Sequence, residues 1–324
     1  PQNVFVPTHI IQDFSSSPYL TRSTTKAEET STERSTLAPP KRLQIPKFLF
    51  EKAKSQLLSQ PDSGPVILAR DVSLKAHSNY CSTHEDLPIR ICLVDGNVIA
   101  YEISLRPHTA VAGRIHSLLA RWDAGDDLAI GGDLDVVLEV NAILKPDLYI
   151  QPWRRPAPPQ GQGADSIGNA FPTMIVEIAT SQGLSGVHAK VAHWFPPRTT
   201  IQLCLIIKIW RPRGYNTLAM VVLRYHRTNN NPLIPTTAIS FGTAALDHQA
   251  LQVLQGVVAG NQVTGVGFCG VPCSEAAIPV YQMTLPAALI YNGDPQGVPE
   301  ANALGFGLDL WDFQVQARRA YLLP

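Results

Sequence analysis

Apolar and polar positions along the 324-residue chain change their period several times, and each change marks an element. From Lys47 to Leu58 the apolar residues Phe50, Ala53, Leu57 and Leu58 share one side of a helix, which Pro61, Asp62, Ser63 and Gly64 end. Val66–Ala69 reads as a short strand and 71–88 as a loop. Ile91–Val94 and Val98–Ile103 flank Asp95-Gly96, a pair that supplies the positive φ angles of a tight hairpin turn. Helical spacing returns between Thr109 and Trp122, where Val111, Ile115, Leu118, Leu119 and Trp122 recur on one face.

Within Asp126–Asn141 a Gly-Gly turn precedes a two-residue period. Val136, Leu138 and Val140 share one face, and Val137, Glu139 and Asn141 the other. A strand over Asp147–Ile150 is followed by a Pro-, Gly- and Gln-rich loop, 151–170, and then by the wholly apolar-flanked strand Met174–Ala179. Val187, Val191, Trp194 and Phe195 predict a helix from about Ser185 to Phe195. Ile201–Trp210, Leu218–Tyr225 and Ile239–Phe241 read as strands. Beyond Ala244 the pattern loosens: Leu246–Val258 is helical in spacing, 259–275 is rich in Gly and Cys, and LDLWDFQVQARRA closes the chain as a helix. The order helix, strands, helix, strands predicts α/β or α+β architecture around one mixed sheet.

Composition refines this picture. Residues 1–45 are rich in Ser, Thr, Glu, Lys and Pro, bury little, and read as a tail; 46–243 form the expected central domain and 244–324 a C-terminal extension. With 45% apolar and 16% charged residues, the rest of the chain can bury a sizeable core. The 26 basic and 26 acidic residues cancel, so charge gives no support for non-specific nucleic-acid binding. No apolar run reaches membrane-spanning length, and the first residues lack a basic and then apolar leader. Five scattered cysteines do not form a disulfide framework. An intracellular location, cytoplasmic or nuclear, is therefore expected. Cys81 and His84, with His77 near, have a tolerable metal-ligand spacing but also read as ordinary loop residues.

Two carboxylates carry candidate chemistry. Asp147 opens a strand directly after Pro146, and Glu177 lies inside the apolar strand MIVEIA. A charge in such a strand is costly unless it is paired or bound to a cation. On adjacent strands the two would make a hard oxygen site suited to Mg²⁺ or Mn²⁺. Such a metal generates hydroxide at neutral pH, and a nearby Lys stabilises charge on a phosphate. Taken singly, Asp147 also reads as a turn cap and Glu177 as a salt-bridged residue. Walker, GxGxxG, GxSxG and HExxH motifs are missing.

The segments LVDGNVIAYEI, RPHTAVAGRIHSLLARW, LKPDLYI and PTMIVEIATSQGLSGVHAKVAHWF, in that order, resemble the PD-(D/E)XK nuclease superfamily. The resemblance is to the restriction endonuclease family that is widespread in bacteria and has divergent fungal relatives. It runs from about Ile91 to Phe241, and YQMTLPAALIYNGDPQGVP is similar to fungal members. It implies a restriction-endonuclease-like mixed sheet flanked by helices, DNA as substrate, and a homodimer. It makes Asp147 and Glu177 metal ligands with the carbonyl of Ile178 as the third. Ala179 stands where the family's plain motif has Lys, and Lys190 on the next helix takes its place, with Lys208 as the second candidate. His108 sits where the family often has a His; Gln182 and Glu102 are accessory candidates. Three functions follow: a metal-dependent endonuclease, a catalytically inactive nuclease-fold binding or scaffold protein, or an unrelated assembly protein. An all-β sandwich without helices at 109–122 and 185–195 would mark the last.

Overall fold

A computed structural model of the chain describes residues 42–60, 64–84, 86–165 and 167–322. The expected tail, up to residue 41, lies outside them. The elements begin with α1 (Lys47–Ser59), β1 (Val66–Ala69), α2 (Leu74–Thr83), β2 (Arg90–Val94), β3 (Asn97–Glu102) and α3 (Arg106–Trp122). Next come β4 (Leu128–Gly131), β5 (Val136–Glu139), β6 (Ala142–Leu144), β7 (Leu148–Pro152), β8 (Met174–Ala179) and α4 (Leu184–Trp194). The remainder is β9 (Leu203–Ile209), β10 (Ala219–His226), β11 (Thr237–Gly242), α5 (His248–Val258), β12 (Val263–Gly265), β13 (Gln282–Leu285), α6 (Ala287–Ile290), β14 (Phe306–Asp309) and α7 (Leu310–Leu322).

The architecture is mixed α/β, with a large mixed sheet flanked by helices. Seven strands run in the order β12-β11-β10-β9-β8-β7-β4. They are antiparallel except at β8–β9 and β11–β12. The β8–β9 pair is parallel because α4 carries the chain back across the sheet between them. Central strands covered on both faces need apolar residues at successive positions, and MIVEIA and LCLIIKI supply them.

One face of this sheet packs on Val111, Ile115 and Leu119 of α3 and on Leu310, Phe313 and Ala317 of α7. The residues after 243 therefore build part of the main core. The other face packs on Leu184, Val187, Val191 and Trp194 of α4 and on Leu254, Val257 and Val258 of α5. Each fully buried aliphatic side chain contributes roughly 1.5–3 kcal/mol relative to exposure.

A second, five-stranded antiparallel sheet, β1-β3-β2-β6-β5, was not expected. It gives Cys92, Tyr101, Val136, Leu138 and Leu144 to the α4 side and packs its other face on α1. The Asp95-Gly96 turn joins β2 to β3 as predicted, with φ of 50° and 74°.

Two sequence expectations are corrected. Residues 71–88 hold helix α2, whose N-terminus is capped by the Ser73 hydroxyl accepting from Ala76 N–H at 3.3 Å. Its buried residues are His77 and Tyr80, so no aliphatic stripe announces it. The Asp126–Asn141 stretch is split, with β4 at the edge of the large sheet and β5 in the small one. Helices at 106–122 and 184–194 remove the all-β reading. No helix of the described residues is long and apolar enough to cross a membrane.

Candidate functional site

The structure gathers most of the candidate residues around the ends of β7 and β8. The ladder between these strands runs to Leu148↔Val176 and then breaks. Beyond it, Asp147 N–H donates to Val176 O (3.2 Å), and Asp147 Oδ2 accepts from Ile178 N–H (2.5 Å). The carboxylate thus takes over a place that a backbone carbonyl would fill. Asp147 Oδ1 pairs with Arg90 Nη1 from β2, and His108 Nε2 lies 3.1 Å from the same oxygen. That histidine contact is close but not aligned, for neither ring nitrogen of His108 makes a hydrogen bond. His108 sits in the first turn of α3, and burial holds its pKa down at about 4, so the ring is neutral.

Glu177 is held from the other side. Its Oε2 accepts from Lys190 Nζ (2.8 Å) and its Oε1 from Trp194 Nε1 (3.1 Å). Lys190 and Trp194 are four apart on α4 and present their polar ends together. Lys190, which the resemblance named in place of a lysine at 179, reaches Glu177 by its long flexible stem. Its amine also lies 3.7 Å from the centroid of the Tyr101 ring, and Arg90 is 5.9 Å from that ring. Burial works against the charge of Lys190, but Glu177 and Tyr101 outweigh it and raise the amine's pKa. The Tyr101 phenol is pushed up to about 12, chiefly by burial, and stays neutral.

Three of the four accessory candidates, Glu102, Gln182 and Lys208, form a separate device. Glu102 Oε1 accepts from the N–H and hydroxyl of both Thr180 and Ser181, and Oε2 accepts from Gln182 N–H, so five uncharged donors converge on one carboxylate. Lys208 Nζ grips the opposite side of the same turn, donating to Thr180 O (2.9 Å) and Gln182 O (2.6 Å). This double clamp fixes the link from β8 to α4, and with it the placement of Glu177 against Lys190. Sequence reading gave Glu102 as a ligand candidate and Lys208 as a reserve catalytic lysine; both hold this turn.

Two cavities meet at Tyr101. One, of about 370 Å³, has a mixed wall, with Arg90, Asp133, Asp135 and Lys145 beside Tyr101, Leu87, Ile89, Ile91 and Ile143. The other, of about 140 Å³, reaches Lys190, Gln182 and Cys92. Arg90, Asp133 and Tyr101 were not singled out in the sequence. Their signal was slight: an arginine opening a strand and an aspartate in a Gly-rich turn look like surface residues.

The site fits a divalent metal poorly as it stands. Two carboxylates and a carbonyl are the right donor chemistry. Yet each of the four carboxylate oxygens already faces a protein donor, and Arg90 and Lys190 balance Asp147 and Glu177 in charge. The side chains of Asp147, Glu177 and Lys190 are only 3%, 2% and 9% exposed. Two more positive charges in so dry a place would be uncompensated. Among the described residues no group of three or more His, Cys, Asp or Glu is placed to hold a metal, His77 and Cys81 included.

No family model and no curated protein matches the chain. Among solved structures, one from Anabaena variabilis, described as a "putative nuclease belonging to DUF820", is similar at a TM-score of 0.36 and 14% identity. The match covers 58% of this chain and 98% of that one.

Proposed function

We propose that this chain is a catalytically silent protein with a nuclease-like architecture, acting through binding and not through phosphodiester hydrolysis. One observation carries the reading: each acidic residue of the expected metal site is buried against a cation of the chain's own, Asp147 against Arg90 and Glu177 against Lys190. Such pairs need no metal to neutralise them, and breaking one by removing a partner costs about 3–5 kcal/mol. The cavity beside Arg90 leaves a path for a ligand to approach the outer part of this cluster.

Supercoiled plasmid incubated with Mg²⁺ or Mn²⁺ tests this directly. Wild type and Glu177→Ala should show the same background. Nicking by the wild type that Glu177→Ala abolishes would overturn the silent reading.

A second reading has its own support. The Lys190 amine beside Glu177, and Asp147 at the end of the neighbouring strand, are the parts of a metal-dependent deoxyribonuclease. In that reading Asp147, Glu177 and the Ile178 carbonyl hold Mg²⁺ or Mn²⁺ and Lys190 faces the phosphate of DNA. It requires Arg90 to leave Asp147.

A further inference from the structure

We infer that the smaller cavity beside Tyr101 is a binding site for a small neutral carboxamide or lactam with an apolar body, read by the side-chain amide of Gln182. The site deepens the binding role proposed above and takes nothing else from that reading, because neither Asp147 nor a metal enters it.

Three observations meet there. The cavity holds about 140 Å³, and its walls come mainly from apolar side chains, Leu57, Val94, Ile99 and Leu144 among them. An apolar cavity of roughly 150 Å³ takes a benzene ring. Gln182 borders the cavity, is only 9% exposed, and its side-chain amide has no hydrogen-bond partner among the described residues. Its backbone is held on both sides, the N–H by Glu102 and the carbonyl by Lys208, so the turn is fixed without the amide. A buried amide left without a partner is costly and calls for an explanation. The third observation is Gly186, in the first turn of α4 and also at the cavity. A Cβ there would lie 3.3 Å from Gln182 Nε2 and 3.4 Å from its Cγ. Glycine weakens a helix relative to alanine, and here the missing methyl leaves the amide room against the helix.

The chemistry of the ligand follows from that amide. Its C=O accepts and its NH₂ donates along one edge. A primary carboxamide or a lactam shows the same two groups on one edge, in reverse, and makes two N–H···O bonds at once. A hydrocarbon would leave the amide bare. A carboxylate would satisfy the NH₂ alone and set its second oxygen against the Gln182 carbonyl. It would also add an unmatched charge, since Lys190 at the same cavity is already paired with Glu177 at 2.8 Å. The ligand is therefore neutral.

The test uses the full chain and three probes of similar size, benzamide, benzoate and toluene, with binding followed by ligand-observed NMR and calorimetry. Benzamide should bind at least about tenfold more tightly than either of the others, because a site built to hydrogen-bond an N–H rejects analogues that lack it. Gln182→Leu leaves the backbone contacts in place. It should weaken benzamide at least about tenfold and leave toluene bound as well as before or better. Gly186→Ala should weaken benzamide at least about threefold by crowding the amide. Its unfolding temperature should not fall, because alanine favours the helix, and this variant carries the test if Gln182→Leu does not fold. No benzamide binding by the wild type overturns the site, as does equal affinity of wild type and Gln182→Leu, or of benzamide and toluene. Benzoate bound as tightly as benzamide would mean that Lys190 reads charge, and overturns the neutral ligand class. None of these outcomes touches the silent reading, which plasmid nicking by the wild type would sink without altering the benzamide result.

Discussion

Glu102 and Glu177 are both buried carboxylates, 2% exposed each, and the fold neutralises them by opposite means. Glu102 receives five uncharged donors from the turn 180–182, three of them backbone N–H groups. Glu177 receives one ammonium and one indole N–H, both from side chains of α4. The first arrangement cannot be undone without unmaking the turn. The second is a charge pair whose members can be replaced together. A carboxylate saturated by backbone groups builds the fold, whereas a carboxylate matched by one side-chain cation is free to serve something else.

The sharpest break in this comparison is Glu102→Ala. It leaves three backbone N–H groups buried without acceptors, each at about 1–3 kcal/mol, for a total loss of roughly 3–9 kcal/mol. Urea denaturation of the full chain measures it. A loss below about 2 kcal/mol, within the usual range for a single substitution, would show that the turn finds other partners and that Glu102 is no lock.

Glu177→Ala should come next, at roughly 3–5 kcal/mol, because it strands the Lys190 charge in the core. The discriminating variant is double. Glu177→Leu with Lys190→Met replaces the pair by apolar groups and should be near neutral or stabilising. The corresponding Glu102→Leu with Lys208→Met should show no rescue, because the donors to Glu102 are mainly backbone. Rescue in both doubles, or in neither, would erase the distinction.

These two sites were unequally legible in the sequence. Glu177 was visible because a charge inside MIVEIA has no apolar role, whereas Lys190 was named only through the family resemblance. The strands at 174–179 and 203–209 were legible for the same reason: continuous apolar runs leave few alternatives. Glu102 sat at the end of a hairpin strand, where an acidic residue is ordinary. Nothing local says that its donors lie 78–80 residues away. Arg90 was invisible for a similar reason, since its partner Asp147 is reached only after the small sheet folds against the large one. Most strands of the small sheet were read, but not their pairing into a sheet of its own, and the helix at 74–83 escaped because its buried residues are only His77 and Tyr80. Side-chain partners set by tertiary contact, and not by period, are what the chain alone withholds.

A smaller effect, roughly 3 kcal/mol at its limit, comes from His108. Burial holds its folded pKa at about 4 against 6.5 for the free group. Between those values the unfolded chain takes up a proton that the folded chain refuses. Stability should therefore fall as pH drops from about 6.5 to about 4, and His108 should add no slope above that window. His77, His188 and His226 are shifted the same way by burial, so the whole slope is shared. The part due to His108 is the difference between wild type and His108→Asn, measured as denaturation free energy against pH. An identical slope in both would mean that His108 is solvated or already paired.

The finest test removes one donor from each carboxylate. Thr180→Val keeps the shape of the side chain and deletes the hydroxyl that donates to Glu102 Oε1 at 2.7 Å. Four donors remain on Glu102, including Thr180's own N–H at 3.2 Å, so the cost should be about 1 kcal/mol. Lys190→Met likewise removes one donor, but from a carboxylate that has two, and leaves Glu177 with a single indole N–H. Its cost should exceed that of Thr180→Val by at least about 2 kcal/mol, the difference between thinning a saturated shell and exposing a buried charge. Parallel thermal and urea unfolding of the two variants gives that difference. Similar costs would mean that Glu177 is reached by water in the folded chain, and the acidic pair would then be open to a ligand without any displacement of Lys190.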